Sequence, residues 1–175
     1  MGLLDKFRSR DQNESAYSAQ LNTQTAEDYC NAGVALAEQG NYKEALVKFK
    51  QAIRKRSDYA EAHYNTGVTY DNLGRFAESV KCYKQAILIA PEYVEAYNNL
   101  GTAYSKLNRG VEAIKAYLQA IRLNPKFVEA HNNLGMVYYS WGSYNDALKA
   151  CRRALQLAPD YAYAHYSLGL IYIDL

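Results

Sequence analysis

The chain has 175 residues, 49% of them hydrophobic, and a formal net charge of +2. That length holds one domain or a short repeat array, its ten glycines and three prolines are too few for a disordered chain, and the near-neutral balance makes no case for nucleic acid. Cys30, Cys82 and Cys151 lie far apart with no CxxC pair, which argues against a metal site or a disulfide framework and for a reducing cytosol. No apolar run approaches the roughly 18–20 residues that span a bilayer, and "MGLLDKFRSR" has too short an apolar part for a secretory signal. Lys6 stands where a myristoylation signal wants Ser or Thr. The expectation is a cytoplasmic protein without stable membrane insertion.

Residues 1–25 form a first segment. Leu3, Leu4 and Phe7 make a short apolar face at helical spacing, beside Lys6, Arg8 and Arg10, and "DQNESAYSAQLNTQT" at 11–25 is a polar linker. Besides a disordered tail, three roles are open to this segment. It can touch a membrane surface weakly, dock on a partner, or lie in an acidic groove of its own or a neighbouring molecule.

From residue 26 the chain repeats itself. Gly33, Gly67, Gly101, Gly135 and Gly169 are spaced by 34 residues. Tyr29, His63, Tyr97, His131 and His165 precede each glycine by four positions, and Leu36, Tyr70, Tyr104, Tyr138 and Tyr172 follow by three. Ala45, Ser79, Ala113 and Ala147, then Ala52, Ala86, Ala120 and Ala154, keep the same register, and Pro91, Pro125 and Pro159 end three units. A fixed period of this size means stacked repeats, not one globule. In the third unit Tyr97, Leu100, Gly101 and Tyr104 share one helix face, and after "KLNRG" Ala113, Tyr117 and Ala120 share another. Gly40, Gly74, Gly142 and Asn108 supply the turn between the helices, where φ is positive. Proline then stops the second helix, and the Gly and Ala columns let paired helices approach closely. Two departures have local consequences. Ser57 replaces the proline of the first unit, so that helix is expected to run on through "IRKRS". Gly110 stands where Tyr42, Phe76 and Tyr144 put an aromatic, so the third turn should be less well packed.

These columns resemble the tetratricopeptide repeat (TPR) family over residues 26–175, with full units at 26–59, 60–93, 94–127 and 128–161. A fifth first helix, unpaired or truncated, occupies 162–175. The expected fold is all-α, a right-handed α-solenoid of stacked antiparallel helix pairs. Glu95, Asn99, Thr102 and Lys106 fall opposite the core stripe of the third unit, and the resemblance implies that this face lines a concave, partner-binding groove. Asn31, Asn65, Asn99 and Asn133 make an asparagine column there, Glu61, Glu95 and Glu129 an acidic row, and Tyr64, Asn98, Asn132, Val68, Thr102 and Met136 a mixed set. A side-chain amide can pair with both the N–H and the C=O of an extended peptide. The column is similar to the asparagine ladder in the TPR region of O-linked N-acetylglucosamine transferases. Generic TPR units carry the same residues, so a used peptide site and an inherited scaffold both stay open.

Charge sorts between the helices. The first helices carry Glu27, Asp28, Glu38, Glu61, Asp71, Glu95, Glu129 and Asp174 against Lys106, whereas the second helices and turns hold a run of basic residues from Lys43 to Arg153. An acidic groove taking neutral or basic segments, with a basic outer face, is expected. The carboxylate clamp of chaperone-binding TPR domains is not reproduced. Its places hold Cys30, Val34, Glu95 and Asn99, and only Asn65 matches, so chaperone C-terminal tails are not expected partners. The "RKR" run at 54–56 reads as a solvated helix end, because no aromatics interleave with it as a nucleic-acid platform requires.

His63, His131 and His165 occupy one repeat column and cannot converge on a substrate. With no phosphate loop, metal motif or positioned nucleophile, neither enzymatic activity nor a cofactor is expected. At the C-terminus Leu170, Ile171, Ile173 and Leu175 cannot all be covered by the preceding unit. Either the chain continues, or this end or the Leu3, Leu4 and Phe7 face pairs with another copy. The functional expectation is a scaffold that holds an extended segment of a partner protein. The alternative is the substrate-recruiting region of a longer enzyme such as a glycosyltransferase.

Overall fold

The computed structural model describes residues 24–175, and the chain divides after Ser57 into two compact units. Leu3, Leu4 and Phe7 lie outside the described residues.

Among the described residues the first unit holds one helix pair, α1 (Ala26–Glu38) and α2 (Tyr42–Lys55). A capping box starts α1: Thr25 Oγ1 accepts the Asp28 N–H at 3.1 Å, and Asp28 Oδ2 accepts the Thr25 N–H at 2.8 Å. The bonds to Thr25 hold the Asp28 carboxyl below its usual range. Gly40 turns the chain with φ +78°, and α2 folds back to lay the buried ring of Phe49 on Gly33. A Cβ on Gly33 would come within 2.6 Å of that ring. The helix does not run on through "IRKRS". It stops at Lys55, and Arg56 is extended (φ −142°, ψ 99°) with its Nη1 2.5 Å from Glu27 Oε1. By leaving the helix, Arg56 reaches back to α1, and the stop is made without a proline.

The second unit contains α3 (Ala60–Asn72), α4 (Phe76–Ile89), α5 (Val94–Lys106), α6 (Gly110–Leu123), α7 (Val128–Ser140), α8 (Tyr144–Leu157) and α9 (Ala162–Ile173). Gly74, Asn108 and Gly142 make its turns with φ of +70°, +58° and +72°. Tyr83 lies on Gly67 and Tyr117 on Gly101, each ring within 2.6 Å of where a Cβ would sit, while the smaller Cys151 lies on Gly135. Within this unit each second helix packs on the first helix of the next pair. Successive first helices (α3, α5, α7, α9) touch each other, whereas α4, α6 and α8 do not. First helices therefore form the inner face of this unit, and clefts open outward between second helices. The core runs through Tyr83, Leu100, Tyr104, Tyr117, Leu134 and Val137.

Two further expectations need correction. The third turn is filled: the Trp141 ring occupies the space above Gly110, where a Cβ would meet Cζ2 at 2.5 Å. The aromatic missing at position 110 is supplied one repeat later in the chain. At the C-terminus, Ile171 is fully buried against Ala147 and Cys151, so it is withdrawn from the self-association surface. Leu170 is half-buried, while Ile173 and Leu175 stay 80% and 66% exposed.

Gly101 and Gly169 separate packing from helix propensity, because a Cβ on Gly169 meets nothing within 4 Å. Gly101→Ala should lose about 1–3 kcal/mol by overpacking against Tyr117. Gly169→Ala should be neutral or gain up to about 1 kcal/mol, as alanine does in an open helix. Urea denaturation checks this, and equal losses at both sites would refute the ring-on-glycine account.

Candidate functional site

The inner face of the second unit is built by α3, α5 and α7. Glu61, Glu95 and Glu129 are exposed in the first turn of these helices. Asn65, Asn99, Asn133, Tyr64, Val68, Thr102 and Met136 are half-buried behind them, and in the first unit Asn31 is exposed on α1.

Hydrogen bonds tie several of these side chains to one another. Asn99 Nδ2 donates to the Tyr64 hydroxyl at 3.0 Å, Asn98 Nδ2 donates to Asn99 Oδ1 at 3.2 Å, and Asn133 Nδ2 donates to Asn98 Oδ1 at 3.1 Å. The chain of bonds crosses α3, α5 and α7, so it sets the register between successive first helices. It also engages donors that an open ladder would present to a peptide. Thr102 is engaged too, with its Oγ1 3.1 Å from the Tyr117 hydroxyl and 3.3 Å from the Asn98 carbonyl.

Asn98 and Asn132 are not open to a ligand, contrary to expectation, being only 8% and 5% exposed. They precede the asparagine column by one residue and so point toward the neighbouring first helix. In α7, Asn132 Oδ1 is buried without a hydrogen-bond partner. Its repeat equivalent Asn98 receives Asn133, but the matching donor in α9 is the shorter Ser167.

A column missed in the sequence frames one end of this face. Tyr59, Tyr93, Phe127 and Tyr161 are the N-caps of α3, α5, α7 and α9. Their 34-residue spacing was the available signal. Tyr59 and Tyr93 wall a cleft of about 850 Å³ with Glu61, Pro91 and Glu92. The Tyr59 hydroxyl donates to Glu61 Oε2 at 3.3 Å, and the Tyr93 ring packs 4.8 Å from that of Tyr64. Two tyrosine rings and two carboxylates thus line one cleft, and these are the groups used in cation–π contacts and charge-assisted hydrogen bonds.

Several other reactive groups are buried or hydrogen-bonded. Burial pushes the Cys82 and Cys151 thiols up to about 11, so neither is a thiolate at neutral pH. His131 and His165 are loop staples, with Nε2 donating to the Pro125 and Pro159 carbonyls at 3.0 and 2.7 Å. Among the described residues no group of three His, Cys, Asp or Glu side chains is placed to hold a metal, and no helix is long and apolar enough to cross a membrane. Asp71, on α3, accepts the Tyr83 hydroxyl at 2.6 Å, yet burial raises its carboxyl above the ordinary value and leaves Oδ1 without a partner.

Helix pairs on a fixed period, with chemically distinct inner and outer faces, define a helical-repeat scaffold for protein–protein interaction. The chain belongs to the tetratricopeptide repeat family: a TPR repeat profile matches residues 33–74, 72–108 and 111–142, and tetratricopeptide repeat profiles match 94–124 and 128–161. Among solved structures it is similar to MamA (26% identity, TM-score 0.77, covering 85% of this chain and 81% of that one). It is also similar to YrrB, described as a TPR protein with an unusual peptide-binding site (25% identity, TM-score 0.74, 90% and 81%). A third is TTC0263, a thermophilic TPR protein of Thermus thermophilus (25% identity, TM-score 0.72, 86% and 82%). No curated protein is a significant sequence match.

Two substitutions test this network. Ser167→Asn should supply the donor that Asn132 Oδ1 lacks and stabilise by about 1 kcal/mol in urea titrations; no shift in midpoint would count against the repeat logic. Asp71 has its folded-state pKa raised, so its carboxyl favours folding at low pH, and that contribution is lost as pH rises through the raised value. Asp71→Asn keeps an acceptor for Tyr83. It should gain stability over wild type at pH 7 and lose that advantage below 3.8, the ordinary carboxyl value.

Proposed function

We propose that this protein is a non-enzymatic, cytoplasmic scaffold whose inner face holds an extended, neutral to basic segment of a partner protein. The observation that carries this reading is the cleft between Tyr59 and Tyr93, with Glu61 and Glu92 at its rim. A lysine or arginine seated there would be followed along α5 and α7 by the exposed carboxylates of Glu95 and Glu129. The peptide-binding site described for YrrB supports the same use of the fold. The asparagines play a smaller part than in a ladder, because Asn99 and Asn133 already donate to neighbouring repeats. Side-chain capture in the cleft supplies what a few backbone bonds, each about 0.5–1.5 kcal/mol net, cannot.

Self-association is a second reading, favoured by the exposure of Tyr163, Tyr166, Ile173 and Leu175 on and just beyond α9. Exposed large apolar side chains of this kind suit a second copy.

The test is fluorescence anisotropy with an extended Lys/Arg-containing peptide and its Glu-substituted counterpart. The basic peptide should bind more tightly, weaken with salt, and lose about tenfold in affinity in the Glu61→Lys, Glu92→Lys double variant. Equal binding of the acidic peptide would overturn the proposal.

A further inference from the structure

The outer face of the second unit offers a comparison between repeat-equivalent positions. Lys84 of α4 places its Nζ 5.7 Å from the ring centroid of Tyr104. Arg152 of α8 lies 6.0 Å from the ring of Tyr172 and donates from Nη2 to its hydroxyl at 2.6 Å. In both cases a cation on one second helix covers the tyrosine 20 residues further along. Tyr104 is also covered by Arg109, at 4.7 Å.

Between these two positions the pattern breaks. The matching columns carry Leu118 and Ser143 around Tyr138, and neither side chain can set a cation on the ring. In its place a cleft of about 300 Å³ opens between α6 and α8, floored by Leu118, Ile121, Leu134 and Tyr138. That volume lies at the lower end of the roughly 300–1,000 Å³ typical of binding pockets, suiting one or two side chains rather than a cofactor. Leu118 is 47% exposed, although its column elsewhere carries Lys50, Lys84 and Arg152. The rim holds Lys149 and Arg153 against the single carboxylate of Asp146, and the same two cations border an adjoining depression with Arg152. His131 is already engaged with the Pro125 carbonyl.

We propose that this outer cleft docks an acidic amphipathic segment of a partner protein, with a bulky apolar side chain against Leu118 and Tyr138 and carboxylates on Lys149 and Arg153. The apolar floor provides the contact area, and the excess of cations at the rim selects the sign of the partner. The basic stretch around Lys6, Arg8 and Arg10 of this chain has the wrong charge for it. The occupant is thus opposite in character to the segment proposed for the inner face.

The probe is a capped helical peptide with Leu and Phe on one face and Glu on its flanks, compared with a Lys-flanked version. Binding is followed by anisotropy and by amide NMR of the full chain. The acidic peptide should perturb α6, α7 and α8, and Leu118→Lys should weaken it by about tenfold or more. Because lysine is the native residue at position 84 of the same column, the melting temperature should hold in that variant. Arg153→Glu should weaken binding similarly, and Glu61→Lys should leave it unchanged. The proposal is overturned if the acidic peptide fails to bind at about 1 mM, if the Lys-flanked peptide binds as well, if Leu118→Lys has no effect, or if Glu61→Lys abolishes binding.

Discussion

Each helix pair rests on the contact between a side chain of its second helix and a glycine of its first. Phe49 on Gly33, Tyr83 on Gly67 and Tyr117 on Gly101 leave no room for a Cβ, so each ring lies directly on backbone and the helix axes close up. A ring is large and rigid, and that seating fixes the separation and rotation of the pair. Everything carried on the outward faces then repeats in position. Where the ring is a tyrosine, its buried hydroxyl requires a partner: Tyr83 takes Asp71 and Tyr117 takes Thr102. Burial holds both phenols protonated, Tyr117 up to about 12. The packing contact thereby decides which polar residues near the inner face are already engaged.

Within the second unit the two faces follow from how the pairs stack. First helices touch one another and are laced by Tyr64, Asn99, Asn98 and Asn133. Second helices stay apart, and cations bridge to the tyrosines between them. The inner face is therefore polar and largely self-satisfied, with exposed carboxylates left over. Because every repeat faces the same packing demand, positions that break the column without harming the packing carry the most information about use. Leu118, in a column of cations, is one such position. Gly110 is different: Trp141 restores the lost packing, so that departure is a compensated exchange within the scaffold.

Much of the architecture was legible from residues alone. The glycine, alanine and turn columns placed the helices, and Gly74, Asn108 and Gly142 take the positive φ their column predicts. The end of α2 was not legible, because the first unit lacks the proline of its column and the extended Arg56 that follows the helix is paired with Glu27, a residue far away in sequence. Nor was the Trp141–Gly110 exchange, for the same reason. The site was only half legible. Helical angles put Glu61, Glu95 and Glu129 on the exposed side correctly, but they could not show that Asn98 and Asn132 face the next first helix and are buried.

The sequence by itself determined the period, the helix pairing and the sign of charge on each helix. These depend on side-chain size, backbone φ and spacing along one or two helices, which a single unit already contains. Only the tertiary structure decided which polar groups are engaged and which tyrosines are covered. Those outcomes depend on distances between different repeats. A hydrogen bond from Asn133 to Asn98, or a cation over Tyr104 with none supplied by Leu118, exists only once neighbouring units are stacked.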